Sequence, residues 1–156
     1  MEISRATIDD AKEILALQRL AFSGQVELYQ DHLLPPMVET VEQVRAKFAD
    51  HIFLKAVESG AIVGSVRASV TEGVCHIGRL VVRPDRQRKG LASALMSAIE
   101  AEFPGVNRFE LFTGTKSEGS IRLYRRLGYE AAGERQVSDK VSHVILVKQR
   151  KAVATD

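Results

Sequence analysis

The chain has 156 residues, 45% of them apolar, which suits one domain with its own hydrophobic core. Its net charge of +2 is too small to indicate nucleic-acid binding by itself, and its single cysteine, Cys75, excludes an intrachain disulfide and a cysteine-rich metal site. Because no apolar run approaches the length of a membrane span and residues 1–5 lack a signal-peptide pattern, we expect a cytoplasmic protein with no membrane partner.

The first part of the chain predicts one strand and one helix. Residues 2–6 alternate as a strand does. Thr7 is a suitable N-cap, and the apolar residues after it recur at helical spacing as far as Phe22. The pair Ser23-Gly24 is expected to end this helix.

The next segment, residues 25–39, has a weaker pattern. Residues 25–34 are compatible with a short second helix. The pair Pro35-Pro36 predicts an extended loop, because a residue that precedes proline avoids the α-helical region. The sequence Thr40-Val41-Glu42-Gln43 matches a capping box and predicts the start of another helix.

Three antiparallel strands are predicted next, joined by turns at Ser59-Gly60 and Glu72-Gly73. These strands cover residues 52–58, 61–70 and 74–82. A helix over about residues 88–103 and a strand over residues 107–113 follow. A strand, a helix and a strand in succession predict a parallel pair of strands.

The last part of the chain predicts one more helix and a hairpin. Residues 117–127 form the helix, with Ser117 as its N-cap and Gly128 just past its end. Two strands follow, one from Tyr129 onward and one over residues 141–148.

The predicted order of elements is β-α-α-β-β-β-α-β-α-β-β, a mixed sheet with helices and therefore an α+β fold. No internal repeat, linker or low-complexity segment divides the chain. We expect a single domain over residues 1–150 and a frayed tail over residues 151–156.

A turn with the pattern Gln87-x-x-Gly90-x-Ala92 joins the strand that ends at residue 82 to the following helix. The first N–H groups of a helix are unpaired and lie at the positive end of its dipole, so they form a binding site for anions. Gly90 lets an anion approach the backbone, and basic residues of the turn add positive charge. The pattern predicts a pyrophosphate site. The motifs of a P-loop and of a dinucleotide fold are both missing from the sequence.

Two stretches resemble motifs of one enzyme family. Residues 79–96 resemble the acyl-coenzyme A loop of the GCN5-related N-acetyltransferases (GNAT), R/Q-x-x-G-x-G/A after a strand. The stretch from Ser117 to Tyr129 resembles the later motif N-x-x-A/S-x-x-L-Y-x-x-x-G-F/Y, except that Ser117 stands where Asn is usual. The order of elements is also similar. The resemblance implies a three-layer α/β/α acyl-CoA N-acyltransferase fold with a mixed, mostly antiparallel sheet.

The resemblance also implies a reaction and a cosubstrate. GNAT enzymes transfer an acetyl group from acetyl-coenzyme A (acetyl-CoA) to a primary amine of a small molecule or peptide, by direct attack in a ternary complex and without a metal. The pantetheine arm is implied to lie along residues 80–82 and the pyrophosphate against residues 88–93. The implied cofactor-binding residues are Leu80, Val81, Val82, Gln87, Arg88, Lys89, Gly90, Leu91, Ala92, Ser93, Ser117 and Tyr124. An amine acceptor is the implied partner, nucleic acid is not expected, and dimers are common in the family.

Two catalytic residues follow from the resemblance. Tyr124 stands at the position of the general acid that protonates the departing thiolate. In one branch of the family a Glu lies four residues before the first pantetheine-contacting position, and here that residue is His76, whose ordinary pKa of about 6.5 suits a base. Strand alternation predicts that His76 shares one face with Gly78, Leu80 and Val82.

Alternatives remain open for the base and for the function. Glu110 or a chain of water molecules could act as the base, and His76 could be a histidine that only hydrogen-bonds a neighbour. The same fold could be a non-catalytic acyl-CoA sensor or interaction domain, since Ser117 departs from the motif. A nucleic-acid site would lack the interleaved aromatic residues that stack on bases.

The acceptor side of the site is expected in residues 25–39 and 134–143, because the first helices and the last hairpin of this fold form its walls. Glu27, Asp31 and Glu134 could bind a cationic amine, although solvation of the surface explains these three residues equally well.

Overall fold

A computed structural model of the chain describes residues 1–150, and these form one seven-stranded sheet with helices on both faces. The strands are β1 (Glu2–Arg5), β2 (Ile52–Glu58), β3 (Ala61–Thr71), β4 (Val74–Val82), β5 (Arg108–Gly114), β6 (Glu130–Gln136) and β7 (Ser142–Gln149). Their order across the sheet is β1-β2-β3-β4-β5-β7-β6. Only the β4–β5 pair is parallel among these strands, which confirms the predicted mixed, mostly antiparallel sheet.

The helices cover the two faces of the sheet. They are α1 (Ala11–Tyr29), α2 (Pro35–Val38), α3 (Val41–Lys47), α4 (Leu91–Ala101) and α5 (Glu118–Arg126). Apolar residues of α1 and α3 pack on one face of the sheet, and those of α4 and α5 pack on the other. The predicted α+β fold is therefore confirmed. Among residues 1–150, the helices lack the combination of length and apolar character that crossing a membrane requires.

Helix α1 is longer than the sequence predicts. It passes through Ser23-Gly24 and ends at Tyr29, where Gln30 takes a left-handed backbone conformation. Gly24 is exposed, and a glycine inside a helix costs only about 0.5–1 kcal/mol. Burial of the Tyr29 side chain, which is 4% exposed, stabilises the extra turns of the helix. The predicted end of the helix near Phe22 is wrong because tertiary packing outweighs the weak local stop.

The segment at Pro35-Pro36 is a helical turn, α2, and the predicted extended loop is wrong. Leu34 does take the extended backbone that a residue before proline prefers. Proline fits the first turn of a helix, where its missing N–H is no loss. The capping box at Thr40 is confirmed, since its hydroxyl accepts from the N–H of Gln43 and its own N–H donates to the Gln43 side chain.

Strand β4 contains a bulge that decides which way its residues face. Ser65 of β3 pairs with Val81, and Arg67 pairs with Gly78, so β4 carries one extra residue between the two pairs. Arg79, at the bulge, has a φ of 52°, in the left-handed region. The extra residue reverses the alternation.

The predicted common face of His76, Gly78, Leu80 and Val82 is therefore wrong. Ile77 and Val82 both lie in the core beneath α4, although they are five positions apart and regular alternation would put them on opposite faces. His76 and Gly78 consequently lie on the face of β4 opposite to Val82.

Strands β4 and β5 separate after a short paired stretch. Residues 74–76 pair with residues 108–110, and within the described chain no further pairs join the two strands. The β4 edge beyond His76 is left without a strand partner, and a cleft opens between the strands.

The second sequence motif ends in a residue of the core. Tyr129 is 1% exposed, and its hydroxyl donates to the Glu100 carboxylate at 2.9 Å. Lys148 also donates to Glu100 at 2.9 Å, which pairs this buried carboxylate with a cation. The aromatic residue at the end of the motif therefore has a structural role. The predicted frayed tail, residues 151–156, lies outside the described residues.

Candidate active site

Two cavities meet in the cleft between β4 and β5. The first cavity, of about 690 Å³, lies between the end of β4, the loop after it and the facing sides of α4 and α5. The second cavity, of about 360 Å³, lies between the end of α1, α2, the splayed strands and the β6–β7 hairpin. The linings of the two cavities share five residues, namely Phe22, Gln25, Leu80, Ser120 and Tyr124. A ligand in one cavity can thus contact a ligand in the other.

The first cavity has the properties of an anion site. Gly90 is the N-cap of α4 with a φ of 78°, and the N–H groups of the first helical turn have no acceptor within the helix. Arg88, Arg122 and Arg126 line the cavity and add positive charge. Arg86 lines it too, but its guanidinium is bound by Glu58 at 3.1 Å.

The structure brings together nearly all of the predicted cofactor-binding residues. Every one of them except Lys89 and Ser117 lines the first cavity. Lys89 is exposed, and Ser117 lines the second cavity. Gln87 donates its side-chain amide to the carbonyl of Val82 at 3.3 Å, so this motif residue connects the loop to the end of β4.

Ser117 is held by residues of α1 on the far side of the cleft. Its hydroxyl donates to Gln25 at 3.1 Å and accepts from the hydroxyl of Tyr29 at 2.9 Å. The same tyrosine oxygen accepts from the N–H of Lys116 at 3.0 Å. A Cβ at Gly114 would overlap the Tyr29 hydroxyl, so a glycine is required where the ring crosses β5.

Ser117 is 9% exposed, and its side chain makes no capping hydrogen bond to α5. Its predicted contact with the pantetheine arm stays a prediction. The hydrogen bonds to Tyr29 and Gln25 were not predicted, because they depend on the unexpected length of α1.

Tyr124 lies on α5 at the junction of the two cavities. Burial raises its pKa to about 12, because the charged phenolate is disfavoured away from water. The phenol is therefore protonated at neutral pH and can donate a proton. Its ring packs edge-on against Tyr129, with centroids 6.0 Å apart, which fixes its position.

The predicted base lies away from both cavities. His76 is exposed on β4, beside Glu110 of β5, in the short stretch where the two strands still pair. Neither His76 nor Glu110 is among the described residues that line the two cavities. Their roles as a base stay predictions.

A second histidine, His143 of β7, lines the second cavity and was not predicted from the sequence. Its ring stacks on Phe112 at 4.6 Å, and its Nδ1 atom is buried without a hydrogen-bond partner among residues 1–150. Burial, and then the nearby positive charge of Arg135, lower the pKa of His143. The ring is therefore neutral at neutral pH. Only the order of the strands, which puts β7 beside β5, could have revealed its position.

The wall of the second cavity is mostly apolar, with Arg79 and Arg135 as its cations. The two segments expected on the acceptor side, residues 25–39 and 134–143, do supply much of this wall. Of the described residues that line it, none is acidic. Glu27, Asp31 and Glu134 lie elsewhere, so the structure does not bring these three together at the cavity.

The sole cysteine is not available for chemistry. Cys75 is fully buried in the core beneath α4, and burial raises the pKa of its thiol to about 12. A thiol rather than a thiolate is present at neutral pH, and thiols are poor nucleophiles.

Comparison with known proteins decides the family. The model of the acetyltransferase (GNAT) family matches residues 12–129. The chain belongs to the GNAT family. This GNAT chain is 27% identical over 132 residues to the UPF0157 protein YqkA of Bacillus subtilis, a match that covers 85% of the chain but only 37% of YqkA.

Solved structures share the fold. This GNAT chain superposes on smu.2055 of Streptococcus mutans with a TM-score of 0.82 and 20% identity, covering 96% of this chain and 99% of that one. It superposes on yncA of Salmonella typhimurium, solved with its cofactor acetyl-CoA, with a TM-score of 0.74 and 19% identity, covering 100% and 97%. The GNAT fold implied by the sequence is confirmed.

Proposed function

We propose that this GNAT acetyltransferase moves an acetyl group from acetyl-CoA to a primary amine, by direct attack in a ternary complex. The observation that supports this most is the junction of the two cavities at Leu80 and Tyr124. A basic cavity of suitable size for a phosphorylated cofactor opens there into a smaller, mostly apolar cavity. The bound acetyl-CoA in the related yncA structure agrees with this assignment.

Acetyl-CoA binds in the first cavity. Its pantetheine arm lies along residues 80–82, where the edge of β4 has no strand partner. The arm hydrogen-bonds to the free backbone groups of this edge as an added strand would. Its pyrophosphate lies against the first turn of α4, next to Gly90 and Arg88. Arg122 and Arg126 supply further positive charge. Gly90 matters because a side chain there would enter the space of the pyrophosphate.

The reaction requires a neutral amine, a site for an oxyanion and an acid for the leaving group. The amine nitrogen attacks the thioester carbon, the C–N bond forms, and the carbonyl oxygen becomes an oxyanion that a backbone N–H of the open β4 edge can stabilise. The C–S bond then breaks and the nitrogen loses a proton. Tyr124 donates its proton to the departing thiolate, since its phenol is protonated and lies at the junction.

His143 is the base that the geometry favours. It lines the acceptor cavity and is neutral at neutral pH, so it can take the proton of the amine directly or through a water molecule. His76 and Glu110 lie outside the lining of both cavities, which makes either one a weaker candidate.

The test of this function has two parts. Calorimetry should detect acetyl-CoA binding by the purified protein, and a thiol-release assay should show turnover that depends on an added amine. Binding without turnover on any of a broad panel of amines would favour a non-catalytic acyl-CoA sensor. No binding of acetyl-CoA would contradict the proposal.

A further inference from the structure

A buried cluster of charged side chains lies next to the second cavity. Glu39, just after α2, accepts hydrogen bonds from both terminal nitrogens of Arg67, at 3.0 and 3.2 Å, and from Gln18 at 3.0 Å. Arg79 adds one longer contact, from Nε to Glu39 at 3.4 Å. The side chains of Glu39 and Arg67 are 8% and 9% exposed. One carboxylate therefore faces two guanidinium groups, and the cluster has an excess positive charge.

Arg79 is the cation of this cluster that the carboxylate leaves incompletely paired. Arg67 is satisfied by two bonds to the carboxylate, whereas the terminal nitrogens of Arg79 have no acceptor among residues 1–150. The side chain of Arg79 is 20% exposed and lines the second cavity. A poorly hydrated cation without a full partner is costly, so an anion beside it would be stabilised.

The backbone at Arg79 points to a role for this side chain. Arg79, a long non-glycine residue, has a φ of 52° and so sits in a sparsely populated backbone conformation that is strained for any residue with a side chain. The β4 bulge that needs this conformation also re-aims the side chain into the cavity.

The remaining wall of the cavity restricts the ligand further. Its other groups that can carry positive charge are Arg135 and His143, and the described lining includes no carboxylate. Leu34, Ile77, Leu111 and Val141 make much of it apolar. A cationic acceptor would meet like charges here, and an acceptor without apolar groups would leave this surface uncovered.

We propose that the acceptor is a primary amine that carries both a carboxylate and an apolar side chain, as apolar amino acids do, and that Arg79 binds its carboxylate. This rests on the proposed acetyl transfer. The planar guanidinium matches a carboxylate with two parallel hydrogen bonds. Arg79 directly precedes Leu80, which lines both cavities, so a carboxylate bound there holds its amine near the junction.

The first experiment compares pairs of acceptors that differ in whether they carry a carboxylate or a neutral amide. Acetylation of L-leucine, L-methionine and L-phenylalanine is measured against the amide of each, with rates expressed per concentration of neutral amine, because the amide lowers the pKa of the amine. We expect kcat/KM for the amino acids to be about 10- to 100-fold higher, as expected for a hydrogen-bonded charge pair.

The second experiment tests Arg79 itself. Arg79→Gln should remove most of that preference by lowering kcat/KM for the amino acids, while the amides and the affinity for acetyl-CoA change little. Glu39 keeps its bonds to Arg67 and Gln18 in this variant, so the fold should persist. Arg45→Gln, an equal loss of charge at an exposed position of α3, should leave the preference intact. Arg79→Lys should recover part of the loss.

The outcomes separate this proposal from the proposed function. Amides that match the amino acids, faster acetylation of putrescine, or an equal loss on both acceptor types in Arg79→Gln would overturn the acceptor proposal while acetyl transfer stands. If none of the six compounds is acetylated, the deciding measurement is whether N-acetyl-L-leucine binds to the complex of the protein with coenzyme A. Absence of this binding would overturn the acceptor proposal. Failure to bind acetyl-CoA at all would instead refute the acetyl transfer on which it rests.

Discussion

The two cavities differ in how the chain builds them. About half of the lining of the first comes from one continuous stretch, residues 80–93, and the rest comes from α5 and a short part of α1. The second draws on α1, α2, both splayed strands and the β6–β7 hairpin, which are far apart in the sequence. A site made from contiguous residues carries its pattern in the sequence, whereas a site made from distant elements depends on strand order and helix length. The cofactor site can thus be predicted from the sequence, and the acceptor site cannot.

The cavities also differ in how their charge is balanced. Arg122 and Arg126 line the first cavity from exposed positions on α5, where several phosphate oxygens can share them. In the second cavity, Arg79 already shares Glu39 with Arg67 and has room for one more anion. The first arrangement suits a multiply charged cofactor and the second a single carboxylate.

The largest effect is expected from Gly90→Glu in the first cavity. It places a side chain and a negative charge where the pyrophosphate should bind, so coenzyme A binding should be lost in calorimetry. Gly73→Glu is a matched control, because Gly73 has a φ of 80°, is exposed in the β3–β4 turn and has equally open space around it. Native affinity in a folded Gly90→Glu protein would refute the assignment of the first cavity.

Tyr124→Phe tests the junction between the cavities. The variant removes only the hydroxyl, so the affinity for coenzyme A should change little, while kcat should fall by about 10²–10⁴-fold if the phenol is the proton donor. Steady-state kinetics with a good acceptor, alongside calorimetry, separates the two quantities. Native turnover would exclude the acid role of Tyr124.

The pH dependence of the rate tests the base of the second cavity. Because the pKa of His143 is lowered, the histidine stays deprotonated to more acidic pH than usual, and the rate should fall only below about pH 6.5. His143→Ala should flatten this acidic limb, and His76→Ala should leave it unchanged. The reverse pattern would restore His76 as the base. If neither variant alters the limb, water, Glu110 or the acceptor's own ionisation sets it.

Ser117→Ala should have the smallest effect, and it tests whether this residue contacts coenzyme A or only stabilises the fold. Loss of the hydrogen bonds to Tyr29 and Gln25 should lower the free energy of unfolding by about 1–3 kcal/mol, measured in denaturant, with little change in coenzyme A affinity. A clear loss of affinity would instead mean that Ser117 contacts the pantetheine arm as the usual Asn does, and Ser117→Asn should then bind at least as well as the native protein.

Local chemistry explains what the sequence could predict. Turn glycines, the capping box at Thr40 and alternating apolar residues are readable within a few positions, and the strands they predict are confirmed with small differences in their ends. The motif around Gly90 is equally local, and nearly all of its predicted residues line one cavity.

Long-range packing explains what it could not predict. The end of α1 is set by Tyr29 burying its ring against Gly114, which lies 85 positions away along the chain. His143 comes beside the cavity only because β7 inserts between β5 and β6. The bulge at Arg79 leaves no trace in the alternation of side chains, since both Val81 and Val82 are apolar.

The extra residue of β4 also limits how the length of the chain can change. Removing one of residues 79 and 80 would leave Val81 opposite Ser65 and Gly78 opposite Arg67, so both flanks of β4 would keep their faces, but the bulge that turns Arg79 into the second cavity would be lost. A single-residue deletion between Gly78 and Val81 should therefore be tolerated by the sheet, whereas a deletion in a regularly paired part of β4 would turn side chains to the wrong face, so a length scan along this strand would locate the bulge without any ligand.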